Sequence, residues 1–534
     1  MQSVAFENEL TVETHRQNGT LETFHDNYEA AVESVRAWLG GSHPHIVGSD
    51  RRMNEETFVV TSPGERSLAI GEFPAGQPED VDADVKAARQ AFEAWSARPV
   101  RDRVDVFREA AGLMRDRKYR LAAVLTLENG KNRMEAMADI DEGIDFLRFY
   151  AREFERHDGY RFETGEPTPG QRCRNRLEPF GVFGVIGPFN FPFAIFAGMA
   201  TGAMITGNTV VAKPASTTPL IAHRVVDLLA EAGLPDGVFN LVTGSGRAVG
   251  ESIVTQEAVA GIAFTGSRAV GRSIQQTFLE QDKSGPVIAE MGGKNPVIVT
   301  ANADRANAVS GVKHGAFGFS GQKCSATSRV YVHEELFERF TDELVEATEQ
   351  LSIVPPDQRE AYLAPLIDEA ALERYRRVCD LAREVGTIRT GGSVSTGPDV
   401  EGRYVTPTVV TDVPHEHELA TEEHFLPFVT LHPVESLEEA IRKANDSRYG
   451  LCAGLFSEDA DEIDRWQAQI EAGMCYLNRG QSATTGALVQ AQPFGGWKDS
   501  GATSKFAGGY WYLPQFMREQ TRTVIGPIGR DDGS

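Results

Sequence analysis

The chain has 534 residues, 41% of them hydrophobic, and a formal net charge of −24. That length exceeds one ordinary core and predicts two or three domains, while the acidic balance argues against binding a nucleic-acid backbone. No run is apolar enough to span a bilayer, and the polar, acidic first residues have neither signal nor transit character.

Five scattered cysteines form no CxxC pair and no metal-ligand spacing, so no metal site is expected. They suit a reducing cytoplasm rather than a disulfide framework. Of the 53 basic residues only eleven are lysines. Such a carboxylate-rich surface fits either a plain acidic enzyme or one adapted to high salt, where screening removes self-repulsion. Full stability in dilute buffer would count against the second.

In chain order, a charged helical stretch (27–41) ends at a glycine pair, and residues 43–76 alternate between turn signals as strands or a hairpin. Residues 82–95 have helical periodicity, 101–127 repeat it twice, and 140–157 form an aromatic-rich amphipathic helix. These helices read as packing elements without chemistry. After a polar glycine-rich turn, GVFGVIG reads as a buried strand broken by PFNFP, which leaves Asn190 at a strand end. TGNTVVAKPAS is another, with Lys213 at its exit. Then VFNLVTG meets a glycine turn holding Gly246 and Gly250, and GIAFTGSRAVG repeats the pattern at Gly266. Strands alternating with helices predict a doubly wound parallel sheet with ligands at strand ends. The glycine turns suit phosphate at helix N-termini, although no clean GxGxxG is present.

Residues 286–330 carry the chemistry. PVIAEMGGKNPVIV reads as two short buried strands around Glu290, a helix follows near 301–314, and AFGFSGQKCSATSRV presents Cys324 beside glycines. A lone cysteine is usually a small core residue. A thiol with a carboxylate to serve as base is also the layout of covalent catalysis. Helices and strands alternate beyond it. The glycine- and aromatic-rich tail from Gly480 is expected to pack on the body or on a neighbouring subunit.

Eight motifs stand in a familiar order: PFNFP (188–192), VVAKPAS (210–216), FTGS (264–267), EMGGKNP (290–296), GQKCSA (321–326), EEHFLPF (422–428), YLNRG (476–480) and QPFGGWKDSG (492–501). From about residue 45 to 525 the chain resembles the NAD(P)-dependent aldehyde dehydrogenase superfamily. The resemblance implies an α/β fold with a Rossmann-type dinucleotide-binding domain (45–157 and 178–288), an α/β catalytic domain (289–495) and a small β oligomerisation flap (158–177 and 496–534). A helical extension (1–44) precedes them. It also implies a homodimer or a higher homo-oligomer.

By the same resemblance, Cys324 is the nucleophile that takes the aldehyde carbon as a thiohemiacetal. Asn190, with the Cys324 backbone N–H, steadies the oxyanion. Glu290 activates the water that hydrolyses the thioester. The cofactor lies against Lys213, Ser216, Gly246 and Gly250 on one side and Phe264, Gly266, Ser267, Glu423 and Phe425 on the other. Lys213 and Glu423 match ribose-holding residues, and Ser267 one near the pyrophosphate. Serine replaces the glutamate usual at position 216, so NAD is expected with NADP not excluded. His424 and Leu426 also depart from the usual wording of that motif.

Within the superfamily the chain is similar to the 1-pyrroline-5-carboxylate dehydrogenase group, in its monofunctional form. That implies oxidation of L-glutamate γ-semialdehyde to L-glutamate in proline degradation, on substrate from a separate proline dehydrogenase. Ser325, Gly486 and Ala487 match the residues holding the substrate carboxylate, and Phe191 and Phe494 the aromatics along its stem. The link GQSATTGA (480–487) is longer than usual. Another semialdehyde, or a broad range of aldehydes, is the second reading. Glu290 speaks against CoA-acylating chemistry, and the presence of Cys324 and Asn190 against a non-catalytic member.

Overall fold

A computed structural model describes residues 6–395, 401–480, 488–503 and 505–525. Two seven-stranded sheets organise the chain. The first runs, edge to edge, through Val287–Glu290, Val259–Thr265, Val182–Ile186, Thr209–Lys213 and Phe239–Leu241, then His45–Val47 and Asp50–Arg52. Its first five strands are parallel and the last two antiparallel. VFGVI and TVVAK form central strands because their uninterrupted apolar runs can be buried on both faces.

Helices cover both sides. One face carries the largest core, in which Phe24, Tyr28, Val32 and Val35 of helix Leu21–Arg36 take part. The N-terminal segment is therefore built into the main core. The other face packs helix Pro78–Ser96, opened by a proline at its first turn, through Val81, Val85 and Ala88.

The second sheet runs Thr387–Thr390, Thr408–Thr411, Phe428–Val434, Thr327–His333, Asn295–Val299, Cys452–Phe456 and Met474–Leu477. All neighbours are parallel except the first pair. Helices Arg305–Phe317 and Glu334–Glu349 cover one face, and Leu437–Asn445 with Ala460–Gln469 the other. Helix Glu369–Val385, capped by Asp368, fills a stretch for which the sequence reading assigns no element.

A three-stranded antiparallel sheet stands apart. Met517–Ile525 pairs with Gln171–Pro179 along its whole length, and Arg161–Gly165 adds the third strand. The helix read at 140–157 in fact begins at Arg133, because the Asn132 side chain accepts the N–H groups of Met134 and Glu135 and so fixes the start.

Candidate active site

Strand order in the first sheet reverses between Val182–Ile186 and Val259–Thr265. The chain lays strands outward from Val182–Ile186 on one side and returns to its other side with Val259–Thr265. Loops leaving the C-terminal ends of strands at such a reversal form a crevice. The loop with Asn190 and the turn with Gly266 and Ser267 leave there. Glu290 ends the neighbouring strand, and after the intervening residues 291–294 Asn295 opens the first strand of the second sheet. The crossing from sheet to sheet is thus the segment just after Glu290.

Cys324 comes to this junction from the other side. Helix Arg305–Phe317 ends in a tight turn, Gly318–Gly321, in which Phe319 and Ser320 hold φ of 49° and 51°. Non-glycine residues seldom adopt that region, and it marks a turn determined by its surroundings. The Ser320 hydroxyl donates to Ala364 O at 2.6 Å, and the Gln322 amide to Pro365 O at 3.0 Å. Gly321 has no alternative, since a Cβ there would lie 2.1 Å from Leu426 O. Asn295 then clamps the cysteine, donating to Cys324 O and Ala326 O at 2.8 Å each while accepting the Cys452 N–H at 3.0 Å.

A pocket of ≈ 610 Å³, open to solvent, lies in the crevice. Cys324, Ser325, Glu290, Phe191, Phe264 and Phe494 line it together. Phe264, expected beside the cofactor, here forms part of the same wall as the thiol. Burial pushes the Cys324 thiol well up, and the nearby Glu423 and Glu290 add to this against its own N–H and that of Ser325. The resting group is therefore a thiol rather than a thiolate.

Burial likewise holds the Glu290 carboxyl well above the usual carboxylate range, opposed only by a backbone N–H from Gly496. Its Oε2 is buried without a hydrogen-bond partner among the described residues. The tail reaches in to hold this strand: Glu290 bridges to Gly501, and Met291 N–H donates to Ser500 O at 2.8 Å.

Asn190 is buried between Phe189 and Phe191. Asn129 donates to Phe189 O at 3.0 Å, and Phe191 reaches the pocket. The Asn190 amide itself has no hydrogen-bond partner among the described residues.

The remaining candidates fall into two groups. Lys213 ends its strand buried, donating to Pro214 O at 2.9 Å, and burial lowers its ammonium to about 8. The Ser216 hydroxyl donates to Gly244 O at 2.7 Å, beside the wide turn Gly246–Gly250, where Gly250 passes close to the Lys213 side chain. Ser267 caps helix Arg268–Glu280 through the Val270 N–H. Across the junction, Glu423 accepts the Gly293 N–H at 2.9 Å, and burial raises its carboxyl to about 7. Its other oxygen lies where a Cβ on Gly292 would be, at 1.9 Å. Phe425 packs edge-on to Phe189 at 5.7 Å. His424 and Leu426 point inward, His424 against Phe428, so these two departures serve the core. Gly486 and Ala487 lie outside the described residues.

The structure corrects one expectation. Helix Arg133–Arg156 is more than packing, because Glu142, Phe146 and Tyr150, four residues apart, line the pocket. Ile195, Met199, Ala507 and Tyr512 complete the wall. The i, i+4 spacing was readable, but not what the face looks onto. Among the described residues no cluster of metal-binding side chains occurs, and no helix is long and apolar enough to cross a membrane.

The profile of the aldehyde dehydrogenase family matches residues 51–522. The chain is 37% identical to the 1-pyrroline-5-carboxylate dehydrogenase of Anoxybacillus flavithermus over 507 residues, covering 94% of this chain and 96% of that one. It is similar in structure to 1-pyrroline-5-carboxylate dehydrogenase from Thermus with bound NAD, at a TM-score of 0.90 and 33% identity, covering 98% of this chain and all of the other. Proline utilization A from Bdellovibrio bacteriovorus, inactivated by N-propargylglycine, superposes at a TM-score of 0.92 with 35% identity over 98% of this chain. The chain spans only 54% of that longer protein. A thiol and a carboxyl facing one pocket at the junction of two sheets, together with a family match over most of the length, identify the chain as belonging to the aldehyde dehydrogenase family.

Proposed function

We propose that this enzyme oxidises L-glutamate γ-semialdehyde, the open form of 1-pyrroline-5-carboxylate, to L-glutamate with NAD, in proline degradation. The observation that carries the reading is the meeting of Cys324, Glu290 and Ser325 with Phe191 and Phe494 on one pocket. Near full-length relatives at 37% identity named for that activity support the substrate. Phe191, Phe494 and Ile195 suit the aliphatic stem. The Ser325 hydroxyl, which has no partner among the described residues, suits the α-carboxylate.

The chemistry follows from the site. Glu290 takes the Cys324 proton, and the sulfur attacks the aldehyde carbon to give a thiohemiacetal. The Asn190 amide and the Cys324 N–H stabilise the charge on oxygen. NAD, when bound, would supply the hydride acceptor, and loss of hydride from the thiohemiacetal would leave a thioester on Cys324. Glu290 releases that first proton to solvent and then draws one from water; the hydroxide adds to the thioester, the C–S bond breaks, and the Cys324 sulfur takes the proton back from Glu290 as the acid is released. One aldehyde, one water and one oxidised cofactor become one acid, one reduced cofactor and protons. Lys213 and Glu423 would hold the ribose hydroxyls of NAD. Lys213 fits, as a buried ammonium with a single carbonyl partner, and so does Glu423, which Gly292 leaves room to approach.

We further propose that the enzyme is cytoplasmic, takes its substrate from a proline dehydrogenase, and assembles as a homodimer or larger homo-oligomer. The test is kcat/KM for glutamate semialdehyde, propanal and succinic semialdehyde, each with NAD and NADP, in wild type and Cys324→Ala. The proposal expects glutamate semialdehyde with NAD to lead by roughly tenfold or more, a margin one well-placed carboxylate contact can supply, and Cys324→Ala to be inactive. Preference for propanal would favour a broad-range enzyme, and an active Cys324→Ala would refute the nucleophile.

A further inference from the structure

An ion pair that the reaction does not use lies beneath the loop carrying Asn190. Lys131 Nζ and an Asp139 oxygen are 2.8 Å apart, and both side chains are 0% exposed. Stripping two charges of water costs about as much as their attraction returns, so such a pair is poor support for stability alone. Its neighbours point to another purpose.

The Lys131 ammonium sits 3.6 Å from the centroid of the Phe191 ring and 5.2 Å from that of Phe319. Both are cation–π distances in a site sealed from water, where the attraction is strongest. Phe191 directly follows Asn190. Phe319 stands five residues before Cys324, in the left-handed turn that presents it. One cation thus touches the segment of the amide and the segment of the sulfur. The second oxygen of Asp139 accepts the Ala194 N–H at 2.8 Å, at the start of the helix that follows Asn190. Two residues before Lys131, Asn129 holds Phe189 O and also accepts the Lys131 N–H at 3.1 Å. Residues 189, 191 and 194 are therefore gripped by residues 129, 131 and 139. An oxyanion donor loses most of its effect when displaced by an ångström.

We infer that Lys131 and Asp139 are positioning residues, which set the separation of the Asn190 amide from the Cys324 sulfur by joining Phe191 and Phe319 through one buried cation. Lys131 spans the two rings, and Asp139 holds its charge and the start of the following helix. The inference rests on Asn190 being the oxyanion donor.

The full chain is tested as Lys131→Met, as the apolar pair Lys131→Met/Asp139→Leu, as Asn190→Ala, and as Asn190→Ala combined with Lys131→Met. The rate of the first NADH burst, KM for the aldehyde and NADH affinity are measured, with circular dichroism to verify folding. Expected is a burst slowed about 10- to 100-fold, with KM and NADH affinity within about threefold. Adding Lys131→Met to Asn190→Ala should cost little more, because both act through one contact. A burst at wild-type speed in Lys131→Met, or losses that multiply in the combined variant, overturns the inference. A slow Asn190→Ala with a fast Lys131→Met sinks this inference alone. An Asn190→Ala at full speed removes the oxyanion reading and this one with it. The apolar pair retains the packing if Lys131→Met does not fold. If neither folds, the pair is a folding element and the positioning role fails.

Discussion

Glu290 bears two costs at once, a buried carboxyl and an oxygen without a partner. Its folded-state pKa is raised, so the neutral acid is favoured. The stability it contributes is full at pH below the unfolded value near 4 and is lost as pH rises through the raised folded value. Replacing it with glutamine, which stays neutral, should therefore raise the melting temperature at pH 8 and change it little near pH 4. Catalysis runs the opposite way, since the base works only when ionised. Turnover should climb with pH through the Glu290 titration, and Glu290→Gln should lose that limb with about 10²–10⁴ of its rate. The same variant should accumulate the thioester, giving a slow, stoichiometric release of NADH without turnover. Rapid turnover in Glu290→Gln would contradict the role, and an unshifted melting temperature would contradict the electrostatics.

The segment 291–294 lies between the proposed base, Glu290, and the carboxylate proposed to hold the ribose, Glu423. It links the two sheets, and Gly292 leaves the space that the Glu423 carboxyl fills. Gly292→Ala should push Glu423 away and raise the KM for NAD roughly tenfold, the scale of one lost charge-assisted contact, with little effect on thiol alkylation by iodoacetamide. An unchanged KM for NAD would show that Glu423 does not hold the cofactor. Much of this level was legible in the sequence. VFGVI, TVVAK and NPVIV declare buried strands by their apolar runs, and the strand ends bring Lys213, Asn190 and Glu290 into view. The turn before Cys324 was not legible, because Phe319 and Ser320 adopt left-handed φ under tertiary pressure that no local propensity records. Nor was the pocket face of helix Arg133–Arg156. Periodicity shows that Glu142, Phe146 and Tyr150 share a face, but what that face looks onto is set by residues distant in sequence, from Phe191 to Tyr512.

For the whole molecule, the sheet of Arg161–Gly165, Gln171–Pro179 and Met517–Ile525 is the informative feature. Its outer strands are exposed along nearly their whole length and carry Phe162, Val524 and Ile525, the last 76% exposed, while the middle strand is half-buried. A small three-stranded sheet is marginal in water on its own, and exposed apolar side chains on its outer strands mark a contact surface. Deleting residues 517–534 should reduce the assembly to a smaller species by light scattering, whereas an unchanged mass would place the contact elsewhere. The resemblance joins 158–177 with the tail in one β flap, but the register of 171–179 against 517–525 was beyond sequence reasoning, since nothing local specifies it between segments so far apart in the chain. The threading of the last stretch has a consequence of its own. From Phe494 onward the ribbon first walls the pocket, then pins the Glu290 carboxyl at Gly496, walls the pocket again at Ala507 and Tyr512, and leaves as an outer strand of the small sheet. If copies of the chain associate through this strand, recognition and association share one thread, and a molecule wedged against Tyr512 would be felt at that seam.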